Sequence, residues 1–233
     1  MVSGGGTGIG LACARALTQA GARVTVLGRR EGPLRAAMAE GAAADFLVAD
    51  ATHPPALKGI CILINAAGAA ASAPFLKTSD DDFRAAFEAN LMSAVALSRA
   101  VLPGMLALGS GRIINIASTA ALKGYAYVAP YVAAKHALLG FTRALALEVA
   151  SKGLTVNAIC PGFTETPLLT ESIGRITALT GRDDAAARAQ LAQHNPQGRL
   201  LQPEEIAELA LFLCTDAARG IHGAALPVSG GEV

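Results

Sequence analysis

Residues 3–27 read SGGGTGIGLACARALTQAGARVTVL. A glycine cluster opens an apolar helical pattern over Ile9–Gln19, and a short Val-rich run, Arg23–Leu27, follows it. Gly4, Gly8 and Gly10 stand in a G-x-x-x-G-x-G spacing, which departs from the commoner G-x-G-x-x-G of dinucleotide loops. Glycine at these positions lets the backbone turn sharply and approach a pyrophosphate. Ile9 and Gly10 open a helix whose positive N-terminus attracts that charge. A plain tight turn uses the same residues, so the rest of the chain decides between the two.

The alternation continues to the end. Further short apolar runs lie at Phe46–Val48, Ile60–Ile64, Arg112–Ile116, Thr155–Ile159 and Ala225–Val228. Between them fall helical patterns at Leu34–Glu40, from Ser79 to about Leu108, at Pro130–Lys152 and from Pro203 to near Cys214. Ser79 and Asp82 form a capping-box pair, Gly153 stops one helix, and Pro203 suits a first turn. Strands alternating with helices predict an α/β domain: one doubly wound, Rossmann-type parallel sheet with helices on both faces. Its 233 residues suffice for one domain, 1–233. The irregular stretch 162–202, with weak helical segments at Leu168–Leu179 and Asp183–Gln193, predicts a small helical lid.

With 19 basic and 18 acidic residues, the chain offers nothing to a nucleic acid. No run of 18 apolar residues appears, so no membrane span is expected. Cys13, Cys61, Cys160 and Cys214 are scattered, and read as buried thiols of a cytoplasmic protein. Met1-Val2 leads directly into the glycine loop. That argues against a signal peptide and leaves little first strand, as though the natural start lay upstream. His53, His194 and His222 are isolated, and His136 points about 100° around its helix from Lys135. All four read as structural.

Tyr131 and Lys135 lie four apart in one predicted helix and share a face. A nearby ammonium favours the phenolate. Lowering a tyrosine pKa of about 10 by three units takes roughly 4 kcal/mol, which a lysine plus a positive nicotinamide can supply. Tyr131 can then exchange a proton with a substrate oxygen while hydride moves at carbon. Ser118 follows the strand Arg112–Ile116 and precedes Tyr131 by thirteen positions. Strand ends at the carboxyl edge are where ligands bind, and a hydroxyl there can hold the reacting oxygen. Taken alone, the pair reads better as an exposed Tyr/Lys helix pair, and Ser118 can be read as a serine satisfying a turn.

Taken in order along the chain, these motifs resemble the short-chain dehydrogenase/reductase family. The stretch Gly111–Pro167, GRIINIASTAALKGYAYVAPYVAAKHALLGFTRALALEVASKGLTVNAICPGFTETP, resembles its bacterial 3-oxoacyl reductase branch. The resemblance implies an NAD(P)-dependent oxidoreductase with Asn90, Ser118, Tyr131 and Lys135 as its catalytic set. Asn90 would hold a water relay to Lys135, and Lys135 would also bind the nicotinamide ribose. Asn65-Ala66-Ala67-Gly68 matches the family's Asn-Asn-Ala-Gly segment beside the adenosine, with Ala66 replacing an Asn, which should weaken local strand bracing. Asp50 matches the residue that contacts adenine. Pro161, Gly162, Thr164 and Thr166 match the segment gripping carboxamide and phosphates. The resemblance also implies a dimer, usually within a tetramer, built by the helices Asp80–Leu108 and Pro130–Lys152.

One further departure concerns the crossover. Fourteen residues separate Asp50 from Asn65, where the family has a full helix. Three strand spacings are roughly 15 Å and nine extended residues reach about 30 Å, so a bare loop can cross but leaves sheet uncovered.

The substrate remains open between a 3-oxoacyl or 3-hydroxyacyl thioester and a polyol, cyclic or aromatic alcohol. An inactive cofactor-binding scaffold is a third reading, which the complete catalytic set disfavours. Phe163, Leu168, Leu169 and Ile173, with Ser118, are expected to line the substrate pocket. Arg175, Arg182 and Arg188 read as a solvated basic face rather than a phosphate site. For the cofactor, NADP(H) is favoured over NAD(H). The acid that selects NAD would fall at Gly28, and Arg29 follows. A guanidinium grips a phosphate well, although Arg29 stacking on adenine is an alternative role.

Overall fold

The computed structural model describes residues 1–181 and 183–233. Seven parallel strands form one sheet in the order β3-β2-β1-β4-β5-β6-β7. They are β1 (Val2–Ser3), β2 (Thr25–Gly28), β3 (Asp45–Val48), β4 (Ile62–Asn65), β5 (Gly111–Ile116), β6 (Leu154–Pro161) and β7 (Ala225–Val228). The main helices are α1 (Gly8–Gln19), α2 (Glu31–Ala39), α3 (Asp80–Phe87), α4 (Ser93–Leu108), α5 (Ala129–Val149), α6 (Pro167–Thr180), α7 (Asp184–Ala192) and α8 (Pro203–Leu213). The doubly wound sheet is therefore the one the sequence predicts.

The layers follow from side-chain alternation along the strands. Ile64 and Ile114 pack with Cys13 and Leu17 of α1, Leu34 of α2 and Ile206 of α8. Leu63 and Ile113 face the other way, onto Leu97 and Val101 of α4 and Leu145 and Val149 of α5. β5 and β6 are buried at every position, as strands covered on both faces must be. By length and composition Asp80–Leu108 could cross a membrane. Its inner residues Ala94, Leu97, Val101 and Met105 are nevertheless buried in the protein's core. Glu88–Met92, between α3 and α4, winds as a π-helix, which the sequence pattern did not reveal.

Both sequence departures are visible. β1 has two residues, yet Val2 pairs with Val26 on one side and Ile64 on the other, which places the glycine loop at the sheet's centre. The crossover from β3 to β4 contains no helix. Leu57 and Ile60 from that loop pack partly over the core, while Val48 on the edge strand stays 52% exposed. One expectation fails in part: Cys13 and Cys160 are buried and Cys214 is half-buried, but Cys61, in the helix-free crossover just ahead of β4, is exposed.

Polar groups pin the central strands together. Asn65 Nδ2 donates to Asn115 Oδ1 at 2.8 Å, and Asn115 Nδ2 donates to Thr142 Oγ1 on α5 at 2.9 Å. All three residues are buried. Removing the middle member leaves a buried donor unanswered, at a cost of about 1–3 kcal/mol. Asn115→Ala should therefore lower the unfolding free energy by that amount in a urea titration. An unchanged midpoint would show that these amides do not set the strand alignment.

Candidate active site

The carboxyl edge of the sheet opens into a cleft of about 710 Å³ that begins at the glycine loop. Gly4 and Gly8 have φ of +65° and +53°. A Cβ on Gly10 would lie 2.3 Å from the Gly4 carbonyl oxygen, so only glycine allows α1 to start against the turn. Thr7, at the N-cap of α1, makes no side-chain capping bond. The first-turn N–H groups are therefore not answered by the cap and suit an anion. Ser3 Oγ accepts from the N–H groups of Ala66 and Ala67 at 3.2 and 3.3 Å. The bracing that Ala66 was expected to weaken thus comes from Ser3.

At one end the cleft is lined by Gly28, Arg29, Arg30 and Asp50. Arg29 and Arg30 form no ion pair among the described residues. The Asp50 carboxylate accepts from the backbone N–H and hydroxyl of Thr52, which hold it below the usual carboxylate range, helped by the Arg29 charge.

The other end brings together Asn90, Tyr131 and Lys135 beneath Ile116 and Ala117. Ser118 caps the short turn after β5, its Oγ accepting from Ala120 N at 3.1 Å, and it hydrogen-bonds Tyr131. Lys135 is 4% exposed and donates from Nζ to the Ile116 carbonyl at 2.8 Å. Burial pushes its pKa down to about 8. Asn90, in the π-helical turn, donates to the Ala69 and Ala86 carbonyls at 2.8 and 2.9 Å. A Cβ on Gly68 would come 2.8 Å from Asn90 Oδ1 and 3.7 Å from Lys135 Nζ, so Gly68 fits between them as glycine alone can.

The expected lowering of the Tyr131 pKa is not found in the chain itself. Burial raises it, and the Ser118 hydrogen bond offsets this only in part. The reason is that Nζ of Lys135 is held by Ile116, 5.6 Å from the Tyr131 ring centroid.

Several other predicted residues sit elsewhere. Asn65 is buried among Asn115 and Ser98 and braces the sheet instead of facing the cleft. Thr166 and Leu168 line the cleft. Pro161 ends β6, Gly162 packs on Ser229 and Glu232, and the buried Thr164 bonds back to the Gly162 carbonyl. Leu169 and Ile173 are sealed with Ala187 and Leu191 in a small core of their own, which Phe163 packs against. They hold α6 onto α7 and do not line the open cleft. Of the basic residues, Arg188 pairs with Glu165 and Asp184, and Arg182 lies outside the described residues. Arg175 is half-buried and not a purely solvated face: its Nη2 reaches the Ala70 carbonyl at 2.8 Å, tying α6 to the loop after Gly68. His136 is exposed and its ring Nδ1 lies 3.0 Å from the Val132 carbonyl, whereas His194 is not isolated and packs on Tyr125 and Phe163. Tyr127 has φ +67° and its carbonyl accepts from Ala73 N, which draws the loop before α5 towards the loop after Gly68. Loop contacts of this kind leave no periodic signal in a sequence.

A family model described as enoyl-(acyl carrier protein) reductase matches residues 4–232. This chain belongs to the short-chain dehydrogenase/reductase family. Like its relatives, this short-chain dehydrogenase/reductase is an oxidoreductase. It is 36% identical over 251 residues to the D-beta-hydroxybutyrate dehydrogenase of Cupriavidus necator, covering 100% of this chain and 96% of that one. It is 35% identical over 243 residues to the 3-oxoacyl-acyl-carrier-protein reductase FabG of Vibrio cholerae, covering 99% and 95%. Among solved structures, an actinorhodin polyketide ketoreductase variant with NADPH superposes with a TM-score of 0.92 at 34% identity, covering 99% of this chain and 95% of that one.

Proposed function

We propose that this enzyme reduces the ketone of a 3-oxoacyl thioester with NADPH. The observation that carries this reading is the convergence of Asn90, Tyr131 and Lys135 at one end of a cleft whose far end holds Arg29 and Arg30, neither in an ion pair among the described residues. The cleft fits the cofactor: glycine-only backbone at Gly4 and Gly10, an uncapped helix start, and no acid at Gly28 to repel a 2′-phosphate. The relatives named above that act on 3-oxoacyl or ketoacyl groups, one of them solved with NADPH, point the same way.

When bound, the nicotinamide supplies the hydride. Ser118 and Tyr131 hydrogen-bond the ketone oxygen and fix it over the cofactor side of the cleft. Tyr131, kept protonated by burial, gives its proton to that oxygen as the alcohol forms. The Lys135 ammonium stabilises the phenolate left behind and binds the ribose. Asn90 holds Gly68 and Ala69 beside the lysine and carries the water relay that returns the proton. Asp50 would contact adenine, Gly4 to Gly10 would cradle the pyrophosphate, and Thr166, on the segment that Gly162 and Thr164 shape, would hold the nicotinamide side. Residues 162–202 act as the lid, with Arg175 as its tie to Ala70. Leu168 and Phe163 give the substrate side its apolar character.

The assembly is a dimer built on α4 and α5. Met92, Leu106 and Leu108 are exposed on the α4 side and Leu147 of α5 is 83% exposed, so both helices carry apolar residues outward as well as inward. Light scattering at micromolar concentration should give at least twice the monomer mass. A monomer would contradict this.

Tyr131→Phe should lower kcat by about 10²–10⁴ in a nicotinamide absorbance assay with 3-oxoacyl substrates, with NADPH binding preserved. Full turnover by that variant would exclude the mechanism. Arg29→Ala should weaken NADPH by about 1.5–3 kcal/mol in a fluorescence titration and leave NADH nearly unchanged. Tighter NADH binding by the wild type would reverse the cofactor assignment.

A further inference from the structure

Glu232 lies beyond β7, outside every motif discussed so far, and its side chain is 1% exposed. The chain reaches this place through Gly230 and Gly231, with φ of +62° and +95°. A Cβ on Gly230 would fall 1.9 Å from Asn195 Oδ1, so the tail can turn under the end of the lid only through glycine there. Three side chains from two segments converge on Glu232 Oε1. The Tyr125 hydroxyl donates to it in a short hydrogen bond, Lys123 Nζ lies at 3.0 Å and His194 Nδ1 at 3.9 Å. Oε2 is buried without a partner and packs against Gly162.

Because the Tyr125 hydroxyl donates to Glu232, it must accept from Thr119 Oγ1, 2.6 Å away. Thr119 follows Ser118 in the turn that Ser118 itself caps. With its hydroxyl fully used, Tyr125 presents its ring, which packs edge-on to Phe163 and to His194. The carboxylate thus clamps one end of a relay, Glu232–Tyr125–Thr119, whose other end adjoins the serine beside Tyr131.

We propose that Glu232 is a positioning residue for the reduction: through the Tyr125 hydroxyl it holds the Ser118 turn and the aromatic wall of Tyr125 and Phe163 in register with the reacting centre. This rests on the ketone-reductase reading above. The test is a double-mutant cycle on kcat/KM, using a ketone that the wild type reduces. Glu232→Ala should lose at least tenfold, with the dissociation constant for NADPH within twofold of wild type. Tyr125→Phe should lose a similar factor, and the double variant should be no worse than either. Glu232→Gln, which keeps an acceptor of the same size, should recover most of the rate. Additive losses, or Tyr125→Phe at the wild-type rate, would overturn the proposal. The latter readout stands even if Glu232→Ala does not fold. Hydrogen exchange gives an arm independent of turnover: residues 119–127 should exchange faster in Glu232→Ala and Tyr125→Phe than in wild type and in Glu232→Gln, with α1 unchanged. Equal exchange there would contradict the clamp. A wild type that reduces no ketone would instead contradict the function, leaving exchange to decide the clamp.

Discussion

The site is organised around a buried ammonium. Among the described residues Lys135 has one hydrogen-bond acceptor, the Ile116 carbonyl at the end of β5, and it lines the same cleft as Asp50 and Glu88 without an ion pair to either. Its pKa drop from 10.5 to about 8 corresponds to roughly 3 kcal/mol of unfavourable burial of charge. Other contacts offset that cost, and they are the ones that align the strands. Asn65, Asn115 and Thr142 lock β4, β5 and α5 together within a few residues of the lysine. In the proposed reaction this cation, which the chain alone holds at Ile116, would serve the ribose and the phenolate left on Tyr131.

Tyr131 shows the complementary half of the design. Burial keeps it protonated, so the chain by itself presents an acid beside Ser118. The lowering that the Tyr/Lys spacing suggests is not a property of the folded chain, because the ammonium is held back by Ile116. The opposing shifts of these neighbours, a lysine made more acidic and a tyrosine made less so, set a proton donor next to a group able to stabilise its anion.

Periodicity and punctuation made the sheet legible from sequence. Val- and Ile-rich runs of five residues between helical patterns point to a doubly covered sheet, and the bare crossover followed from counting residues between Asp50 and Asn65. The cleft was legible where backbone geometry demands glycine, as at Gly4 and Gly10. Side-chain direction was not. Asn65 turns into the sheet, Leu169 and Ile173 close on α7, and Arg175 reaches across to Ala70, because each is set by tertiary partners that no local pattern encodes. The contacts of Glu232 escaped for the same reason: its partners Lys123, Tyr125 and His194 are distant in sequence and share no spacing rule.

The central claim is that reduction depends on the charge of Lys135. A folded pKa of about 8 means the ammonium is present below that pH and is lost as pH rises through it. Tyr131, shifted upward, remains protonated over the same interval. The most direct measurement is the pH dependence of kcat/KM for ketone reduction at saturating NADPH, from pH 6 to 10. The account predicts a plateau at low pH and a tenfold fall per pH unit above an apparent pKa near 8. A profile that stays flat to pH 10 would contradict it.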